Sequence, residues 1–139
     1  MYRLKQNHSD LEIILNGGIC SIEAASSHLE HVDGVMVGRE AYRNPFSLAN
    51  VDRELFGVKT PPPTRWQVLD QYKSYMASEI ESGTQLKHMS RHMLGLFTGQ
   101  AGARAWRRYL SEHAVRHGAG LEVIEAAERI VQQKMQHAA

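Results

Sequence analysis

The sequence predicts a short α/β segment followed by an all-α domain. Three observations carry this: two apolar runs that each end in glycine, a helix signal between them, and a wholly helical pattern beyond a triple proline. The first run, residues 11–15 (LEIIL), is stopped by Asn16-Gly17-Gly18 and reads as a buried strand ending in a turn. Ser21 is an N-cap for a helix reaching about His31, with Glu23 in its first turn. Val35, Met36 and Val37 form a second apolar strand, closed by Gly38-Arg39. Strand, helix and strand within some thirty residues is a βαβ unit with parallel strands. Asn44-Pro45 then predicts a cap and first helical residue for a short helix over residues 46–51.

The stretch 57–63 (GVKTPPP) fixes φ and removes backbone donors, which makes it the boundary between a first domain over 1–57 and a second over 58–139. Beyond it, Thr64 caps a helix that keeps Trp66, Leu69, Tyr72, Met76 and Ile80 on one face and stops at Gly83. Further helices are predicted over 86–97, over 103 to about 117 with Gly118 as the stop, and over 121–136. Four amphipathic helices joined by short turns predict a four-helix bundle.

Composition narrows the class. In 139 residues, 42% are hydrophobic and 22% charged, the balance of a globular protein with a core. No run of 18 apolar residues exists, and MYRLKQNHSD has no apolar stretch behind its charges, so neither a membrane span nor a secretory signal is expected and the chain is placed in the cytoplasm. A single cysteine, Cys20, excludes an internal disulfide and a cysteine-based zinc site. His88 and His92 are spaced i, i+4, but no glutamate motif or nearby carboxylate completes a metal site, and RNA contact or plain surface exposure is the reading preferred for them.

The two glycine turns lie at the ends of successive parallel strands, about twenty residues apart, where backbone N–H groups are free. Glycine lets the backbone approach a phosphate and Arg39 adds charge-assisted hydrogen bonds. In a (β/α)₈ barrel the recurrent phosphate site lies after the seventh and eighth strands. Plainer readings stand beside this one: turn chemistry for Asn16, Gly17, Gly18 and Gly38, and a surface ion pair for Arg39.

The segment LNGGICSIEAASSHLEHVDGVMVGREAYRNP resembles the seventh and eighth strand region of the flavin-dependent tRNA-dihydrouridine synthases, and RHMLGLFTGQAGARAWRRYLSEHA resembles the signature of their bacterial A-type helical domain. The resemblance covers nearly the whole chain. It implies the last two βα units of a TIM (β/α)₈ barrel over 1–57, incomplete without an N-terminal barrel portion, and a helical tRNA-binding domain over 58–139. It implies that Asn16, Gly17 and Gly18 grip the phosphate of FMN from one side and Gly38 and Arg39 from the other. In the family, NADPH reduces the flavin, hydride passes to a tRNA uridine, and a mid-barrel cysteine gives the proton. That loop has no counterpart here, and Cys20 stands at the start of a helix instead, so no catalytic residue is assigned to this chain. The matching residues lie far inside the family's chains, so Met1 is expected to fall where a longer protein continues.

Charge is uneven. Residues 1–57 carry five Lys/Arg against eight Asp/Glu, and residues 58–139 carry 11 against seven. Residues 82–111 hold no acid at all but do hold Lys87, Arg91, Arg104, Arg107 and Arg108. Arg104, Arg107 and Arg108 share one side of a helix, Lys87 and Arg91 repeat the spacing on the preceding one, and an antiparallel pairing joins both sets in one basic surface. An uncompensated basic surface suits a phosphate backbone, although composition alone equally allows a solvated face with salt bridges. Trp106 has two readings, a base-stacking platform or a core residue, and its helical spacing favours the core. Three functions follow: a piece of the tRNA-reducing flavoenzyme, a non-enzymatic helical RNA-binding module, or a barrel fragment for another phosphorylated metabolite.

Overall fold

Pro61, Pro62 and Pro63 remove three successive backbone donors, and the chain divides there into two units, Met1–Pro62 and one from Pro63 onward. The computed structural model describes residues 1–138. Among them no helix is long and apolar enough to cross a membrane.

In the first unit the order is α1 (Tyr2–Asn7), β1 (Ile14–Asn16), α2 (Ile22–Leu29), β2 (Gly34–Met36), α3 (Arg39–Arg43), a 3₁₀ helix (Pro45–Asn50) and α4 (Val51–Phe56). The strands pair in parallel, Ile14 opposite Gly34 and Asn16 opposite Met36. A Cβ at Gly34 would lie 3.2 Å from Ile14 Cγ1, so the small residue lets the strands meet there. Strand β1 is shorter than its apolar run suggests, and β2 keeps the expected three residues but starts one earlier, at Gly34. Asp33 is the reason for β1: its Oδ2 accepts the Ile13 N–H at 2.8 Å, while the Ile13 carbonyl accepts from the N–H groups of Asp33 and Gly34 at 3.1 and 3.3 Å. Residue 13 is thereby committed before the ladder starts. Lys5 reaches the same Oδ2 at 2.9 Å and also donates to the carbonyls of Ser9 and Leu11. Ser21 caps α2 as its type predicts, accepting from the Ala24 N–H at 3.1 Å. Ile13, Ile19, Ala25 and Val32 make a small core.

The short helix expected over 46–51 differs. Residues 45–50 form the 3₁₀ helix, and α-helix runs on from Val51 to Phe56. Asn44 occupies the cap position without making the cap bond, and its buried Oδ1 has no hydrogen-bond partner among the described residues. Ser47 instead ties the turn, its hydroxyl donating to the Asn44 carbonyl at 2.7 Å.

The second unit holds α5 (Arg65–Glu81), α6 (Leu86–Ser90), α7 (Ala103–His113) and α8 (Leu121–Gln136). Thr64 and Gln67 form a reciprocal capping box at the start of α5. Lys73 on α5 is the charged link to α8, 2.7 Å from Asp70 and 2.9 Å from Glu128. Asp70 foremost, then Glu128, raises its pKa above the ordinary lysine value.

Two of the four expected helices need correction. The second, expected over 86–97, stops at Ser90, and residues 91–102 proceed as successive turns closed by i→i+3 bonds such as Met93 N–H to Ser90 O and Leu96 N–H to Met93 O. Gly95 and Gly99 weaken helix there, and Gly99 has φ +81°. Burial explains the rest, because Met93, Leu96 and Phe97 all enter the core from this segment. Arg65 secures it, donating to the carbonyls of Leu96 and Thr98 at 2.9 and 3.3 Å. The third helix ends at His113, about four residues before the expected end near residue 117. The unit is therefore three helices of length and a single-turn helix, wrapped around Leu69, Met76, Phe97, Trp106, Leu110, Ile124 and Val131.

Candidate functional site

Parallel register decides where the first site forms. Asn16 and Met36 are partners at the last rungs of β1 and β2, so the chain leaves both strands on the same side, through Gly17-Gly18 and through Val37-Gly38. A cavity of about 400 Å³ opens between them, lined by Asn16, Gly17, Gly18, Gly38 and Arg39, all five residues singled out in the sequence. Gly17 and Gly18 have φ +123° and +71°, a left-handed turn that residues with a Cβ rarely adopt. A Cβ on either would meet no atom within 4 Å, so these glycines face open space.

The cavity also takes in Glu40 and Arg43 on α3, which the sequence reading passed over, and Cys20, which it set aside as a catalytic group. Arg43 was legible in principle, since it follows Arg39 at i+4 on the same helix face. Two guanidiniums against one carboxylate leave the lining cationic. Cys20 is exposed, and its thiol donates to the Gly18 carbonyl at 3.3 Å.

In the second unit a separate cavity of about 560 Å³ is lined by Gln100, Gly102, Ala103, Arg104, Ala105, Arg107, Arg108 and Lys134. It gathers three of the five expected basic residues. Lys87, half-buried on α6, and Arg91, exposed at its C-terminal cap, are not among the lining residues. Lys134 is the addition, delivered by α8, and no local spacing in the sequence relates it to α7. Arg108 has Glu112 at 3.8 Å one turn on, with both side chains exposed. Trp106 faces the other way. It is fully buried, its indole N–H donates to the Met93 carbonyl at 3.2 Å, and it meets Phe97 edge-on at 4.9 Å, a core role that leaves no face for stacking. His88 and His92 are both exposed.

Comparison with known proteins supplies the family. The model for dihydrouridine synthase (Dus) matches residues 1–135. The tRNA-dihydrouridine(20/20a) synthase of Vibrio cholerae is 52% identical over 126 residues, which are 91% of this chain and 38% of that protein. Proteins of the same name from Shewanella oneidensis and Escherichia coli are each 50% identical, over 95% and 96% of this chain and 39% of their own length. The chain thus spans about two fifths of the length of the relatives it matches. With a match running almost from end to end, the chain belongs to the dihydrouridine synthase family.

Proposed function

We propose that this chain is the cofactor-phosphate and tRNA-contacting part of an FMN-dependent enzyme that reduces uridine to 5,6-dihydrouridine in tRNA. One observation carries the reading: five residues picked from two separated motifs line a single cavity at the ends of two paired parallel strands. That cavity fits a phosphate. It has glycine backbone on two sides, an opening that no side chain fills at Gly17 and Gly18, and the guanidinium of Arg39 in the lining. Asn16, Gly17 and Gly18 would hold the FMN phosphate from the β1 side, with Gly38 and Arg39 opposite. When bound, the flavin, reduced by NADPH, supplies hydride for the uridine C5=C6 bond.

The sheet agrees with a barrel setting. Asn16 shares a face with Ile14 and, through the register, with Met36, and both apolar side chains are about half exposed, at 55% and 46%. In a closed (β/α)₈ barrel that face points inward and is covered by the other strands. Residues 1–57 are accordingly read as the last two βα units of such a barrel, and residues 58–139 as the tRNA-binding domain. The proton donor and most of the flavin ring pocket belong to the remainder of the barrel, so this chain by itself turns over no tRNA. The reaction places the activity in the cytoplasm, where tRNA is.

On the RNA side, Lys87, Arg91, Arg104, Arg107 and Arg108 are the proposed contacts. Arg107→Ala and Arg108→Ala each lower tRNA affinity and flatten its salt dependence, with the slope of log K against log[salt] changing by roughly 1 per lost phosphate contact. A titration across salt in which both variants follow the unmodified chain refutes the RNA reading. The rival reading, a helical RNA-binding module without a cofactor, draws on the separate core of the second unit. Flavin absorbance separates the two, because the module, incubated with excess FMN and then freed of unbound flavin by gel filtration, stays colourless.

A further inference from the structure

Gly102 has φ +89°, and a Cβ there would lie 3.1 Å from Val131 Cα and 3.2 Å from Lys134 Cβ. The start of α7 therefore runs against the end of α8 at backbone distance, an approach that a Cβ would crowd. One consequence is local. Lys134, far from Arg104 in sequence, is brought to the same concavity as Arg104, Arg107 and Arg108, so four cations and no carboxylate line one cavity. Along α7 the nearest acid, Glu112, lies outside the lining, 3.8 Å from the lining residue Arg108, and along α8 Glu128 is held by Lys73 at 2.9 Å. Arg104, Arg107 and Lys134 make no ion pair among the described residues.

Like charges gathered in a concavity raise the local potential and draw anions to it. Guanidiniums bind anions as planar forks, and an ammonium binds as a compact charge with three donors. An anion with several oxygens on one centre satisfies both at once. We propose that the α7–α8 concavity is a phosphate-binding site for a phosphodiester of RNA, in which Lys134 is a direct contact and Gly102 the residue that positions it. This rests on the RNA reading above and narrows it, since the contacts then centre on a pocket shared by two helices rather than on α6 and α7.

The test uses the whole chain with fluorescently labelled unfractionated tRNA, measured by anisotropy at several salt concentrations. Lys134→Met keeps the exposed stem and removes the charge. It is expected to weaken binding several-fold at low salt and to reduce the salt slope by about 0.9, the value of one phosphate contact, while Lys134→Arg restores both. Arg129→Met removes the same charge from an exposed position on α8 outside the cavity and leaves the slope as it was. If Arg107→Ala lowers the slope and Lys134→Met does not, the pocket is refuted and the RNA reading stands; if neither does, both fall. Equal loss of affinity for poly-L-glutamate and for tRNA in Lys134→Met also overturns the proposal, since attraction to any polyanion then suffices.

Discussion

Asp33 Oδ2 accepts the Ile13 N–H at 2.8 Å and the Lys5 ammonium at 2.9 Å, so a single oxygen joins α1, the entry to β1 and the entry to β2. The Ile13 N–H foremost, then Lys5, holds its carboxyl below the ordinary value of 3.8. A depressed carboxyl stabilises the fold fully above the unfolded value and loses that contribution as pH falls through the folded one, here below about 3.8. The Ile13 amide resonance should therefore titrate with a midpoint under 3.8, and Asp33→Asn should abolish the titration. A midpoint at or above that value contradicts the geometry. No sequence pattern announced this anchor, because it joins Lys5, Ile13 and Asp33 across three elements. Arg39 is the opposite case, legible from the glycine beside it and the strand before it.

Helix α7 was predictable from its basic side and apolar side, and the start of α5 from Thr64, which caps it together with Gln67; α7 starts after Gly102 with no side-chain cap among the described residues. The segment after α6 was not. Its apolar residues Met93, Leu96 and Phe97 fit a helical period, yet they reach the core from turns, and the stabilising partner is Arg65, some thirty residues earlier. Tertiary burial overrode a local pattern. Glycine positions test this at the level of the element. Gly83 and Gly102 have nearly equal φ, +92° and +89°, but a Cβ meets nothing at Gly83 and backbone at 3.1 Å at Gly102. Alanine at either costs about 1–2 kcal/mol for the left-handed conformation, and Gly102→Ala adds a further loss of similar size for displacing α8. Urea denaturation checks the difference, and equal destabilisation by the two variants would show that α7 and α8 do not touch there.

Across the whole molecule, two short strands and a long helical segment fall into units that divide between Pro62 and Pro63, and the family match runs through both. The two strands expected from the sequence are three residues each and present a face with Ile14 and Met36 half exposed, the face that the proposed barrel setting would cover. The claim on which this account stands is that the turns after β1 and β2 grip one phosphate. Amide NMR titration of the 139-residue chain with FMN, and separately with riboflavin, which lacks the phosphate, tests it most directly. The account predicts that the Gly17, Gly18, Gly38 and Arg39 amides shift together along one FMN binding curve, that Arg39→Ala weakens it, and that riboflavin leaves them in place. Riboflavin moving the same amides equally, or FMN moving one turn and not the other, would contradict it.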